Sequence, residues 1–110
     1  MAAANHNIIV SRGEDFSFDL TISDGEGTIN LTDNVIKAEI RRGGGKPLVA
    51  SFSSAITGTS VLMTLTKAES LKLDGNMSYK WDLFRTETSS GVVTRLIYGD
   101  VKVENNITNI

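Results

Sequence analysis

The chain has 110 residues, of which 40% are hydrophobic and 22% are charged, and its formal net charge is −2. This length suits one domain with a single core, and the composition lies near the average for soluble globular proteins rather than for disordered or fibrous ones. The slight acidity removes the broad electrostatic attraction behind non-specific nucleic-acid binding, so we expect no nucleic-acid partner.

Two absences in the sequence narrow the class of protein further. The chain holds no apolar run long enough to span a membrane, and its start at Met1 lacks the basic and apolar regions of a secretory signal. We therefore expect the protein to be synthesised in a cytoplasm and to have no membrane partner. The chain also has no cysteine, which excludes disulfides and thiolate metal sites.

In the first half of the chain, apolar and polar residues alternate in short segments, which is typical of strands with one buried face. The apolar members are Phe16, Phe18, Leu20 and Ile22 in the first segment, Ile36, Ala38 and Ile40 in the second, Leu48, Ala50 and Phe52 in the third, and Val61, Met63 and Leu65 in the fourth. Together with a short strand at residues 8–11, this half predicts five strands joined by polar or glycine-rich turns.

The second half begins with the one helical signal of the sequence. Thr66 and Glu69 have the spacing of a capping box, which predicts a short helical turn near residues 67–72. The strongest alternation follows, and it predicts a central strand with its aromatic side chains in the core. Its apolar members are Met77, Tyr79, Trp81 and Leu83.

The last strand, at residues 92–103, changes its apolar phase. Leu96 and Tyr98 share one parity, whereas Val101 and Val103 share the other. Gly99 lies at the change, so the pattern predicts a β-bulge there, with positive φ at the glycine, that keeps the same face inward. Tyr98 is accordingly expected to face the core.

These elements predict an all-β protein, an antiparallel β-sandwich of about seven strands with one short helical turn. A single domain at residues 8–104 is flanked by an N-terminal arm at 1–7 and a C-terminal arm at 105–110. The predicted core anchors are Phe16, Phe18, Tyr79, Trp81 and Leu83.

Catalytic chemistry finds no support in the residue types present. The only histidine, His6, lies in the polar N-terminal arm, and a nucleophilic triad needs an imidazole held by packing. The glycines at 43–45 precede Lys46 but lack the spacing of a phosphate loop, and Pro47 follows where such a loop needs Ser or Thr. We expect no enzyme activity, no small-molecule substrate and no cofactor.

Carboxylates are concentrated early in the chain, where they could bind calcium. They are Glu14, Asp15, Asp19, Asp24, Glu26 and Asp33. The spacing does not match a calcium loop, so solvated turn carboxylates explain them better than a bound ion.

Positive charges are concentrated on the predicted strand that contains Ile36 and Ile40 and on the hairpin that follows it. The residues are Lys37, Arg41, Arg42 and Lys46. Solvation of an exposed strand face explains this cluster, and docking to an acidic surface, such as the acidic early segment of a neighbouring subunit, is the alternative. The arms could also pair with edge strands of a neighbour. The full set of interface candidates is Lys37, Arg41, Arg42, Lys46, Asn5, His6, Asn106 and Ile107.

Several stretches are similar to a known group of proteins. They are RGEDFSF at residues 12–18, NLT at 30–32 before a strand ending in Ile40-Arg41, LTKAE at 65–69, YKWDL at 79–83 and GVVTRLIYGDVKV at 91–103. These stretches resemble small immunoglobulin-like structural proteins of tailed bacteriophages, and the N-terminal, particle-attached domain of phage baseplate upper proteins is similar. The resemblance covers roughly residues 8–108 and consists of strand and turn signatures rather than reactive residues.

The resemblance implies an immunoglobulin-like sandwich that serves as an accessory part of the virion. That part would be an assembly adaptor in the tail, neck or baseplate, or a capsid decoration (cement) subunit. The implied partners are other virion proteins, including copies of the chain itself, and the implied location is the virion after synthesis in the host cytoplasm.

The alternative is a module that binds carbohydrate or another feature of the host surface. Glycan sites stack sugars on exposed aromatic rings. Tyr79, Trp81 and Tyr98 are all expected to face inward, and Phe84 is the aromatic residue expected to face outward. Exposed aromatic surface is therefore the feature that separates the two hypotheses.

Overall fold

The computed structural model describes residues 4–21 and 34–107. In these two ranges, period-two segments form strands as the alternation predicts. The strands are β1 (Ala4–Asn5), β2 (Ile8–Ser11), β3 (Phe16–Thr21), β4 (Asn34–Arg41), β5 (Leu48–Ser51), β6 (Ser53–Thr57), β7 (Ser60–Leu65), β8 (Tyr79–Glu87) and β9 (Val93–Glu104), and the helix α1 is Lys67–Ser70.

The strands form two sheets. The six-stranded sheet has the order β1-β9-β8-β4-β5, with β2 also paired to β9, and the three-stranded sheet has the order β3-β7-β6. Among the strands of the described ranges, only β1 and β2 pair in parallel, both with β9. Six of these strands correspond to strands B to G of the immunoglobulin fold, in the order β3, β4, β6, β7, β8 and β9. With this correspondence, the two sheets match the BED and CFG sheets of that fold. The predicted all-β sandwich is confirmed.

An aromatic cluster joins the two sheets at the centre of the core. Trp81 on β8 is 3% exposed, and its ring centroid lies 5.9 Å from that of Phe18 on β3 and 5.7 Å from that of Phe52. Antibody domains join strands B and F by a disulfide at this level of the fold. Here, ring packing between Phe18 and Trp81 makes the inter-sheet contact without cysteine.

Tyr79 forms a second feature of the fold at the start of β8. It lies two residues before Trp81, and its hydroxyl accepts a hydrogen bond from the backbone N–H of Asp74 at 2.9 Å. This is the tyrosine corner of immunoglobulin-like domains. Tyr79 is 4% exposed and Leu83 is fully buried, so β8 supplies three of the five predicted core anchors. Phe16 and Phe18 are partly buried and pack against the core.

The helix α1 begins as predicted, but its capping differs from a reciprocal capping box. The Thr66 hydroxyl accepts from the Glu69 N–H at 3.4 Å. The Glu69 carboxylate instead reaches β5 and accepts from the Ser51 N–H at 2.9 Å. Asp15 caps α1 as well, accepting from the Lys67 N–H at 2.7 Å. The helical turn thereby ties two loops to the edge of the larger sheet.

The segment predicted as one strand around Leu48 to Phe52 is two strands in different sheets. β5 pairs with β4, and after Phe52 the chain continues as β6 beside β7. Leu48 is 48% exposed rather than inward, because the register between β4 and β5 shifts and places Leu48 opposite the outward-facing Arg41. Met77 is also exposed, at 43%, because β8 begins only at Tyr79.

The predicted bulge at Gly99 is wrong. Leu83 pairs with Ile97 and Phe84 pairs with Arg95, so the extra residue in β9 is Leu96. Gly99 does not have positive φ. Instead, a Cβ added at Gly99 would lie 2.7 Å from the carbonyl carbon of His6. The glycine is needed because β9 and the N-terminal segment approach each other closely.

Candidate interaction surface

The solvent-facing side of β4, β8 and β9, here called the outer face, collects the exposed side chains of the larger sheet. Alternate residues of each strand point to this side, and the register places them in four cross-strand rows. The rows are Val35–Thr86–Val93, Lys37–Phe84–Arg95, Glu39–Asp82–Tyr98 and Arg41–Lys80–Asp100.

One end of the outer face is apolar. Val35 is 56% exposed, Val93 is 59% exposed and Phe84 is 36% exposed. They lie in two adjacent rows, and we call these three residues the apolar patch. Exposed apolar side chains that cluster within a polar surround are characteristic of interaction sites.

The other end of the outer face is charged and concave. A groove of about 260 Å³ lies over Glu39, Asp82 and Tyr98 and is bordered by Arg41 and Lys80. Gly43 and Gly44 of the β4–β5 hairpin close one side of it. Lys80 forms an ion pair with Asp100 in the same row.

Asp82 is the carboxylate whose ionisation the groove alters most. Partial burial raises the pKa of Asp82, and the neighbouring Glu39 adds to this effect, whereas Arg95 and Arg41 oppose it. The carboxylates of Asp82 and Glu39 belong to directly paired residues, so like charges face each other across the strands. Cations around this acidic pair are therefore needed to offset the repulsion.

Tyr98 lies on the outer face, and its predicted inward orientation is wrong. The bulge at Leu96 precedes Tyr98 and turns it outward, where it is 36% exposed. The Arg95 guanidinium carbon lies 4.8 Å from the centroid of the Tyr98 ring. This is a cation–π contact that covers one side of the ring.

Of the four predicted cations, Lys37 and Arg41 lie on β4, and Arg42 and Lys46 lie in the β4–β5 hairpin. On β4, Arg41 and Lys37 contact the Glu39 carboxylate at 3.0 and 3.7 Å. Arg41 also donates to the Lys46 carbonyl at 2.6 Å. Arg42 and Lys46 themselves are exposed on the hairpin. The predicted outward orientation of the β4 cations thus agrees with the structure.

Residues 4–7 of the predicted N-terminal arm pair with the chain's own β9. Asn5 pairs with Tyr98, and the His6 N–H donates to the Tyr98 carbonyl at 2.8 Å. The His6 carbonyl accepts from the Trp81 indole N–H at 2.8 Å. The backbone of this segment is therefore already used within the fold.

At the other end of the chain, the two interface candidates differ in environment. Asn106 accepts a hydrogen bond from the Arg12 guanidinium at 2.9 Å. Ile107 is fully exposed. Asn106 thus contributes to a polar contact with the loop that follows β2.

The predicted acidic segment is described in part. Glu14 accepts from the Ser11 N–H at 3.1 Å and Asp15 caps α1, so both carboxylates have structural roles. Asp19 is exposed on β3. Asp24, Glu26 and Asp33 lie outside the described residues. Within the ranges 4–21 and 34–107, no group of three or more metal-ligating side chains comes together.

The outer edge of β5 is protected against strand addition. Pro47 precedes β5 and has no N–H, and the Ser51 N–H is occupied by the Glu69 carboxylate. A partner strand would therefore find no N–H donor at Pro47 and an occupied one at Ser51. The outer face, rather than the β5 edge, is therefore the stronger candidate for contacts with other proteins.

Comparison with known proteins adds no relative. No protein-family model matches the chain, and no curated protein sequence matches it. Among the residues that the structure describes, no helix is long and apolar enough to cross a membrane.

Proposed function

We propose that the chain is a structural subunit of a tailed-bacteriophage particle that contacts neighbouring proteins through its outer face. It serves as an assembly adaptor in the tail, neck or baseplate, or as a capsid decoration subunit. The phage setting rests on the sequence resemblance. The mode of action rests on the structure, and the observation that supports it is the apolar patch on a solvent-facing sheet.

The outer face has the composition of a protein interface. Such interfaces combine aromatic and arginine side chains with an apolar centre and a polar rim. Here, Phe84 lies between Lys37 and Arg95 in one row, and Tyr98 lies in the next. The ion pairs at the charged end fix the orientation of side chains that a partner would meet.

Two measurements test the proposal. Mass spectrometry of purified particles measures whether the chain is present at a fixed copy number, and immunogold electron microscopy locates it. The double variant Phe84→Ser, Val93→Ser is then supplied in place of the wild-type chain. We expect incorporation to fall at least about tenfold, because these side chains form the centre of the contact.

Ile9→Ser is the matched control, since Ile9 is 58% exposed but lies on β2, opposite Lys102 and outside the four rows of the outer face. This variant should be incorporated normally. Particles that lack the chain would refute the structural role. Normal incorporation of the double variant would refute the role of the outer face.

A second candidate function is binding of carbohydrate on the host surface, and the exposure of Tyr98 favours it. Tyr98 borders the groove that holds Asp82 and Glu39, whose carboxylates could accept hydrogen bonds from sugar hydroxyls. Arg95 covers one side of the ring, which limits stacking and places this candidate second. Glycan arrays followed by calorimetry test it: saturable binding that Tyr98→Ala abolishes supports it, and no binding at millimolar sugar excludes it.

A further inference from the structure

Charge is distributed unevenly between the outer face and the rest of the chain. In the four rows of the outer face and in the β4–β5 hairpin, the basic residues are Lys37, Arg41, Arg42, Lys46, Lys80 and Arg95, and the acidic ones are Glu39, Asp82 and Asp100. Lys102 and Glu104, which follow on the same side of β9, add one charge of each sign. The whole chain has 11 basic and 13 acidic residues. The four rows and the hairpin thus hold six of the 11 basic residues and three of the 13 acidic ones, a net charge of +3. The rest of the chain holds five basic and ten acidic residues, a net charge of −5.

The solvent-facing side of the three-stranded sheet, here called the opposite face, has a different character. Its side chains are Ser17, Asp19, Thr21, Ser53, Ala55, Thr57, Ser60, Leu62 and Thr64. This set contains no basic residue. Leu62 is 40% exposed and pairs across the strands with Asp19 on one side and Ala55 on the other.

The two faces carry opposite charges, each beside an exposed apolar side chain. On the outer face, exposed Phe84 has Lys37 and Arg95 as its cross-strand neighbours. On the opposite face, exposed Leu62 has Asp19 as a cross-strand neighbour. Cross-strand neighbours lie about 5 Å apart in any sheet. If Leu62 of one copy contacts the apolar patch of another, Asp19 therefore comes close to Lys37 or Arg95, which carry the opposite charge.

We propose that copies of this chain associate head to tail, with the opposite face of one copy packed on the outer face of the next. Leu62 contacts the apolar patch, and Asp19 pairs with Lys37 or Arg95. The contact joins two different surfaces, so it propagates into a ring or a filament rather than closing as a dimer. The biological setting rests on the proposed function, whereas the association itself is a property of the purified chain.

The size of the contact predicts that association is weak in free solution. Within the described residues, the opposite face is three strands wide. Interfaces below about 1,000 Å² are typical of transient contacts. A high local concentration on a particle would favour such a contact. The measurement in solution must therefore extend to roughly millimolar protein, where weak association is still detected.

Sedimentation equilibrium of the full chain tests the proposal with three variants. We expect the wild-type mean mass to rise with concentration and to fall at high salt. Asp19→Lys and the double variant Lys37→Asp, Arg95→Asp should each lower the association constant at least about tenfold. Lys67→Asp is the matched control for Asp19→Lys, because this exposed lysine lies on α1, on neither face, and its charge changes by two units, as at Asp19 but in the opposite sense.

Mixing the variants distinguishes head-to-tail contact from other modes. In an equimolar mixture, Lys at position 19 of one variant faces Asp at positions 37 and 95 of the other, so association should return. A wild-type chain that stays monomeric throughout would overturn the proposal. Wild-type association of Asp19→Lys would also overturn it and would indicate contact between two outer faces. Neither result bears on whether the chain is present in particles, which the proteomic measurement decides separately.

Discussion

Gly99 offers the sharpest test of how the N-terminal segment is joined to the sandwich. Replacing it by Ala adds one methyl group, whose carbon would lie 2.7 Å from the His6 carbonyl carbon and closer still to the carbonyl oxygen. Backbone atoms cannot yield as a flexible side chain can. The Gly99→Ala variant must therefore move residues 4–7 away from β9.

The cost follows from the hydrogen bonds that this movement breaks. The His6 carbonyl accepts from Trp81, whose indole is 3% exposed. A buried donor left without an acceptor costs about 1–3 kcal/mol. Loss of the bond from the His6 N–H to the Tyr98 carbonyl adds about 0.5–1.5 kcal/mol. We expect Gly99→Ala to lower the free energy of unfolding by about 2–4 kcal/mol, a large part of a typical domain's stability.

Urea denaturation followed by the fluorescence of Trp81, the only tryptophan, measures this change. Gly44→Ala is the matched control, because a Cβ there meets no atom within 4 Å. A second background removes residues 1–7 and with them the obstructing carbonyl. In that background, Gly99→Ala should cost less than about 1 kcal/mol, since the two changes act on one contact. Wild-type stability of Gly99→Ala, or an equal cost in both backgrounds, would refute the reasoning.

Three further predictions concern the core and two carboxylates. Trp81→Ala should cost about 3–5 kcal/mol, because the central ring of the aromatic cluster is lost, and a thermal melt like that of the wild type would contradict this. Contacts with Lys72 and the Ser51 N–H lower the pKa of Glu69 in the folded protein. The ionised Glu69 carboxylate therefore stabilises the fold above its unfolded-state pKa, and this stabilisation is lost as the pH falls through the folded-state pKa. Glu69→Gln should therefore melt below the wild type at pH 7 and converge with it near about pH 3, whereas a constant difference would argue against the assignment. Burial raises the pKa of Asp82, so the stability of the fold falls as the pH rises through the folded-state pKa of this carboxyl group. Asp82→Asn should therefore melt above the wild type at pH 7 but not at about pH 3.

The sequence predicted those strands whose two sides differ in environment. In β4 and β8, one side faces the core and the other faces solvent, so a period of two is enough to place Ile40, Trp81 and Leu83 inside and Lys37 outside. β6 does not show this pattern, because four of its five residues are exposed. Its strand conformation depends on pairing with β7, which the segment itself does not encode.

The errors in β9 have a long-range cause. The position of its bulge is set by pairing with β8, so the phase change alone could not distinguish Leu96 from Gly99. Tyr98 was consequently placed on the wrong side. The need for a glycine at position 99 depends on a carbonyl more than ninety residues earlier in the chain, at His6. No local pattern reports that contact.

The sequence predicted two cations and one aromatic residue of the candidate surface, since Phe84 is expected outward and is 36% exposed. Lys37 and Arg41 were correctly placed outward by their parity on β4. Val35 has the same parity, so its exposure could have been read from the same alternation. The shared outward orientation of Arg95 and Tyr98 could not be read from the alternation, because the two residues are three positions apart. The bulge between them brings their side chains to the same face.

The most direct test of the central claim is a cryo-electron microscopy reconstruction of intact particles at a resolution that shows side chains. We expect density for the sandwich with Val35, Phe84 and Val93 buried against a neighbouring protein. Density in which the outer face is open to solvent in every copy, or particles with no density for the chain, would contradict it.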